Sequence, residues 1–135
     1  MAHPYHHSLS SVKKHGGSIE DYLPIHNWFD ASKSGLADAR HRAMRHHSEG
    51  IFWAEEFFGL TLTNSDGKII PVRVIGEQHV LEDLGYIPSM SDWLKNMSIQ
   101  NWMLSKSART KEVLLDLPEV QEAYAKCISY NTSNV

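Results

Sequence analysis

The chain has one cysteine, Cys127, among 135 residues. That excludes an internal disulfide framework and any cysteine-rich zinc site. Cys127 has no histidine near it in sequence, so it reads as a small core residue and not as a nucleophile. There is no apolar run of about 18 residues and no signal peptide, so a cytosolic chain with no membrane span is expected. Neither sign of charge dominates: the formal net charge is −3. With no basic block and no helix-turn-helix spacing, a nucleic-acid partner is not expected. Walker A, dinucleotide, HExxH and Gly-x-Ser-x-Gly motifs are all missing. That excludes the standard ATPase, Rossmann, zincin and α/β-hydrolase readings. No internal repeat and no low-complexity segment is found.

What the chain does have is histidine. There are nine: His3, His6, His7, His15, His26, His41, His46 and His47 crowd the N-terminal part, and His79 follows alone. The stretch from Ala37 to Phe58 has no proline and reads as a central helix. At about 100° per residue, Asp38, His41, Arg42, Arg45, Glu49 and Glu56 share one side. Leu36, Ala43, His47, Ile51, Ala54 and Phe58 share the opposite side, and His46, Gly50, Trp53 and Phe57 form a flank between them. Charged groups on a helix buried on several sides must be paired, hydrated or bound to something.

The rest of the chain frames that helix. A helix over residues 5–15 shows an apolar stripe of Tyr5, Leu9 and Val12, and Gly16-Gly17 ends it. Ser18 is a plausible N-cap, with Asp21 at the capping-box position. The second helix then runs through Tyr22, Ile25 and Phe29 to the neighbourhood of Lys33, with Pro24 placed to kink it or split off its first turn. Leu60 to Ile75 reads as a β-hairpin around Asp66-Gly67, with Pro71 marking a free edge. Gly76 to Leu84 is a short helix stopped by Gly85. Ser91 would cap a helix holding Trp93, Leu94 and Met97, and Glu119 to Ile128 would be a last amphipathic helix. The expected class is α+β: a compact single-domain helical bundle with one small hairpin. Its domain organisation is an N-terminal extension over 1–4, a histidine-rich core over 5–100 and a C-terminal extension over 101–135.

Three kinds of chemistry fit these residues. The first is metal binding, because histidine and carboxylate three or four residues apart on a helix can grip one ion. Four such pairs occur: His26/Asp30, Asp38/His41, His46/Glu49 and His79/Asp83. Each is also an ordinary helix-surface contact. The second is metal-free acid–base chemistry by histidine beside carboxylate. The third is phosphate binding by Lys13, Lys14, Lys33, Arg40, Arg42 and Arg45, or at the helix N-terminus after Gly16-Gly17-Ser18. Trp28, Trp53, Phe57, Trp93 and Trp102 supply aromatic rings, most of them expected in the core. His47, on the apolar side, reads as a hydrogen-bonded core histidine.

Several segments also resemble a small bacterial and phage family of unknown function. They are Tyr5-His6-His7-Ser8-Leu9-Ser10-Ser11 with Gly16-Gly17, and His26 with Asp30-Ala31-Ser32-Lys33. The two longest are His41-Arg42-Ala43-Met44-Arg45-His46-His47 with Glu49-Gly50-Ile51-Phe52, and Ile75-Gly76-Glu77-Gln78-His79-Val80-Leu81-Glu82-Asp83-Leu84-Gly85-Tyr86-Ile87-Pro88 with Asp92-Trp93-Leu94. The resemblance covers roughly residues 5–95. It implies shared polar residues at these positions, His7 and Gln78 among them, and no particular activity.

The leading expectation is a metal-dependent hydrolase acting on a phosphorylated or nucleotide-like small molecule. His41, His46, His79 and Asp83 would ligate a divalent ion (Zn, Mn, Fe or Ni), with His26 and Asp30 as additions. Arg42, Arg45 and Lys33 would hold phosphate, and Glu77 or Glu49 would move protons. The alternative is a non-enzymatic phage-type binder that sequesters a nucleotide signal or meets a host defence protein. Assembly as a homo-oligomer is compatible with either. A third reading makes the histidines a buried structural network.

Overall fold

In the computed structural model, residues 3–109, 122, 125 and 126 are described. Of the expected helix over Glu119–Ile128 only Glu122, Ala125 and Lys126 are described, all three helical, and Cys127 lies outside the described residues. Chain packing separates two units, Met1–Asp92 and Trp93–Val135. The first holds α1 (Pro4–His15), α2 (Ile19–Asp30), α3 (Ser48–Phe58) and α4 (Val72–Leu84), with strands β1 (Thr61–Thr63) and β2 (Ile69–Pro71). A short α5 (Met90–Leu94) follows, and a 3-10 turn, Asn101–Met103, belongs to the second unit. The class is therefore α+β, mainly helical with one hairpin. Among the described residues no helix is long and apolar enough to cross a membrane.

α2 is the spine of the first unit. It buries Tyr22, Ile25, His26, Phe29 and Asp30, an i, i+3, i+4, i+7, i+8 stripe. Ser18 N–H donates to Asp21 Oδ2 at 2.8 Å, so one limb of the expected capping box is present. Pro24 sits inside α2, and the helix runs through it without splitting off a first turn. α2 ends at Asp30 and passes into a 3-10 turn, Ala31–Ser34.

α1 differs from expectation. Its buried residues are Pro4, His7, Ser8 and Ser11, while Tyr5 is 46% exposed. The inward face is polar and small because it packs against other polar side chains. Ser8 and Ser11 hydroxyls donate to the Pro4 and His7 carbonyls, at 2.8 and 3.1 Å. That satisfies them and lets the helix approach closely.

The expected central helix is not continuous. Ala39–Met44 is a 3-10 turn, and Arg45 and His47 leave helical geometry (φ −138 and −160) before α3 begins at Ser48. Arg45 breaks the run by turning to α2. Its Nη1 donates to the Trp28 carbonyl at 2.6 Å, and the guanidinium lies 4.1 Å from the Trp28 ring centroid. His47 then caps α3, its Nδ1 accepting from Gly50 N–H at 2.9 Å.

The hairpin pairs Thr61 with Pro71, Leu62 with Ile70 and Thr63 with Ile69. Asn64 Oδ1 accepts from Asp66 and Lys68 N–H, shaping the turn. The second strand stops at Pro71, and Val72 to Val74 are helical. Burial of Val72 and Ile75 overrides the β preference of that valine-rich run. At α5 the cap is Ser89, not Ser91: Asp92 N–H donates to Ser89 Oγ and Ser89 N–H to Asp92 Oδ2. The apolar core is small: Tyr22, Ile25, Phe29, Ile51, Ala54, Ile70, Val72, Ile75 and Val80. Beside it lie six histidines at most 1% exposed: His7, His26, His41, His46, His47 and His79.

Candidate metal centre

Four of those interior groups converge. Asp30 sits at the last position of α2, and His46 sits in the bend before α3. His79 and Asp83 are one turn apart on α4. The bend at Arg45 and the cap at His47 turn the two adjacent histidines to different tasks, His46 inward and His47 to its own helix. His46 Nε2 lies 2.9 Å from Asp83 Oδ2, 3.4 Å from Asp30 Oδ1 and 3.1 Å from His79 Nε2. His79 Nε2 lies 3.3 Å from Asp30 Oδ1 and 3.4 Å from Asp83 Oδ2.

These are five of the six edges of a four-atom group whose members all lie within 4.8 Å of one another. A tetrahedral ion with ligands at about 2.0–2.1 Å has ligand–ligand edges of about 3.3–3.4 Å. The five edges above, 2.9 to 3.4 Å, are of that size or slightly shorter. The four residues Asp30, His46, His79 and Asp83 therefore form a group that could hold a metal ion. Their side chains are 0–4% exposed.

The surroundings suit ligands. Burial opposes ionisation of Asp83, but hydrogen bonds from His46, His7 and His79 hold its carboxyl far below the usual carboxylate range. Burial likewise opposes ionisation of Asp30. His46, His79 and Lys33 outweigh it and keep that carboxylate charged too. His79 Nδ1 lies 2.9 Å from His26 Nδ1; were Nε2 to hold an ion, Nδ1–H would donate to His26. Burial, then the neighbouring His79 and His7, push His26 down to about 2, so it is a neutral acceptor. His26 Nε2 lies 2.9 Å from Ser11 Oγ, whose one proton is shared between the His7 carbonyl and Gln78 Oε1, 3.1 and 3.0 Å away.

A second group, His7, His26 and His79, also clusters. It is a poorer ligand set. His7 lies ring against ring with His79 and His26, centroids 4.1 and 5.4 Å apart, so its nitrogens do not aim at a shared point. Both face carboxylates instead: Nδ1 is 2.8 Å from Glu82 Oε1 and Nε2 is 3.2 Å from Asp83 Oδ1. Burial works against a charged His7, yet Asp83 and Glu82 prevail and raise its pKa. His7 thus braces the outer oxygen of Asp83.

The structure sorts the other sequence candidates. His26 stands one shell out, behind His79. His41 is beside His46, ring centroids 5.8 Å apart, and its Nδ1 is 3.3 Å from Ser32 Oγ, so it is not among the four. The Asp38/His41 pair does not form, because Asp38 holds Arg40 at 2.7 Å. Glu49 takes Met90 N–H at 2.8 Å and Ser48 Oγ at 3.0 Å, tying α3 to the Ser89 cap and not to His46 as a ligand pair. Glu77 is two residues before His79 on α4, about 200° around the helix, and faces away from the centre. Arg45 is committed to Trp28. Arg42 and Lys33 do face the centre, each 3.7 Å from an outer carboxylate oxygen. The N-terminus after Gly16-Gly17 is filled by the chain's own acids, since Gly17 N–H donates to Asp66 Oδ2 at 2.8 Å. His7, Ser11 and Glu82 were not in the expected site. Their sequence signals are their places in the segments that resemble the family and the i, i+4 spacing of His7 with Ser11 on α1 and of Gln78 with Glu82 on α4.

No curated protein and no solved structure matches the chain. A family model matches residues 2–103, a span containing all four converging residues and the groups that brace them, and the chain belongs to the family it describes, the Domain of unknown function DUF6915.

Proposed function

We propose that the protein is a metal-binding domain holding one divalent ion between Asp30, His46, His79 and Asp83, with Zn²⁺ the preferred occupant. The reading rests on one observation: two imidazole nitrogens and two ionised carboxylate oxygens meet with the edge lengths of a tetrahedral site. Mixed nitrogen and oxygen donors suit Zn, and Fe, Mn and Ni less closely; Ca²⁺ and Mg²⁺ prefer more oxygens than the group offers. Four protein ligands and near-complete burial are the marks of an ion that organises the fold.

The hydrolase reading needs one ligand to yield its place to water. Asp30 is the candidate: its Oδ2 is buried with no hydrogen-bond partner among the described residues, and only Lys33 stands near it, at 3.7 Å. Hydrolysis of a phosphorylated small molecule is therefore the second reading.

The experiment is metal content by elemental mass spectrometry on tag-free wild type, Asp83→Asn and His79→Ala. Near one equivalent is expected in the wild type. Each variant should bind at least about 100-fold more weakly, a ligand costing more than the outer-shell partners whose loss costs 10–100-fold. Wild type that takes up none of Zn, Fe, Mn or Ni sinks the proposal.

A further inference from the structure

The four converging side chains are almost wholly buried. His46 and His79 are fully buried, and the Asp83 and Asp30 side chains are 1% and 4% exposed. Arg42 and Lys33, 13% and 32% exposed, are the groups that reach from the centre to solvent. Each holds the outer oxygen of one ligand carboxylate loosely. Arg42 Nη2 is 3.7 Å from Asp83 Oδ1, and Lys33 Nζ is 3.7 Å from Asp30 Oδ2, both beyond hydrogen-bond length. Arg42 Nε is buried without a hydrogen-bond partner among the described residues, and so is Asp30 Oδ2. Lys33 and Arg42 thus stand at the Asp30–Asp83 edge of the centre, each against the outer oxygen of one carboxylate.

We propose that Lys33 and Arg42 form an oxyanion subsite at this edge, fitted to a phosphate group, and that the subsite becomes competent only when the metal centre is filled. The proposal rests on the metal-centre reading. Without an ion, the two carboxylates cancel the two cations and repel an incoming anion. A divalent ion neutralises the carboxylates and leaves Lys33 and Arg42 with two uncompensated positive charges. The guanidinium can then turn its Nη–H groups to phosphate oxygens, and Lys33 supplies a further contact. The linkage is reciprocal, so phosphate tightens the ion by the same factor that the ion tightens phosphate.

The test is calorimetric titration of wild type, Lys33→Ala and Arg42→Gln, each zinc-loaded and desalted or EDTA-treated, with metal content read before any phosphate is added. Inorganic phosphate and phenyl phosphate are titrated separately, so free phosphate and a phosphomonoester are told apart, and one-to-one binding of either supports the subsite. The loaded wild type should bind at least about tenfold more tightly than the metal-free protein, within the usual range of coupling. Both variants should lose at least about tenfold while keeping their zinc, Lys33→Ala serving as control should Arg42→Gln loosen Asp83. Full zinc content with no binding of either compound, or binding that neither variant weakens, overturns the subsite alone. Failure to load zinc overturns the metal-centre reading and the switch with it.

Discussion

Gly50 is the residue on which the position of His46 turns. A Cβ built there would overlap the Arg45 carbonyl oxygen, because the chain doubles back on itself between Arg45 and the first turn of α3. Elsewhere in a helix, alanine for glycine gains about 1 kcal/mol of propensity. Here the obstacle is backbone and cannot rotate aside, so Gly50→Ala should destabilise the protein by about 2 kcal/mol net. It should also weaken metal binding, although Gly50 touches no ligand atom. Denaturant midpoint and zinc affinity measured on the same preparation check this. A stabilised variant with unchanged affinity would show that the bend at Arg45 has room to spare.

At the scale of elements, Asp21 joins the corner between α1 and α2 to the hairpin turn. Its carboxylate accepts from Ser18 N–H, and from Ser65 N–H and Oγ, at 2.8 to 2.9 Å. Those backbone donors, Ser18 first and Ser65 next, lower its pKa below the ordinary value of 3.8. A carboxyl depressed in the folded state stabilises at pH values above its unfolded pKa, and the contribution disappears as pH falls through the folded value. Asp21→Asn should therefore unfold at lower denaturant than wild type at pH 7, with the gap closing towards pH 3. An equal gap at both pH values would mean that shape, not charge, sets the contribution. Elements like these were largely readable from sequence. The Gly16-Gly17 stop, the hairpin around Asp66-Gly67 and the Gly85 stop are local signals with local causes. The stretch from Ala37 to Phe58 was misread because its periodicity is helical throughout. What interrupts it is Arg45 reaching Trp28, seventeen positions away, and no window of neighbouring residues contains that contact. The site was half legible for the same reason. Asp30, His46, His79 and Asp83 all stand out by residue type and spacing. Of the sequence pairings, however, only His79 with Asp83 unites two of the converging atoms. Asp30 and His46 each leave their helical neighbour for residues on other elements. His7 was named among the family's shared polar residues but not placed in the site, because its carboxylate partners, Glu82 and Asp83, are more than seventy positions away.

For the whole first unit, the balance of interior groups bears on how much a bound ion would add to stability. Nine apolar residues share the interior with six nearly inaccessible histidines, so polar chemistry carries much of what hydrophobic burial carries in a typical domain. An ion bound only by the folded form stabilises it by about 2.7 kcal/mol when present at 100 times its Kd. For a domain of this size each kcal/mol moves the melting temperature by about 4–8 °C. Zinc in that excess should raise the melting temperature by roughly 10–20 °C, and EDTA should reverse the gain. Differential scanning calorimetry with and without chelator measures it. Coincident melts under both conditions would argue that the four groups form a polar network sufficient to itself.

The ligands arrive in the order Asp30, His46, His79, Asp83, and that order has a consequence for how the chain is made. Synthesis delivers eight of the nine histidines before any of α4 exists, and with them only two of the four ligands. On the metal-centre proposal, any ion met during that interval would be offered histidines without the geometry of the finished site. Discrimination by shape begins only when His79 and Asp83 emerge on a finished helix. Whichever ion is free in the compartment at that moment, rather than the one bound most tightly by the finished site, has the first opportunity to be enclosed.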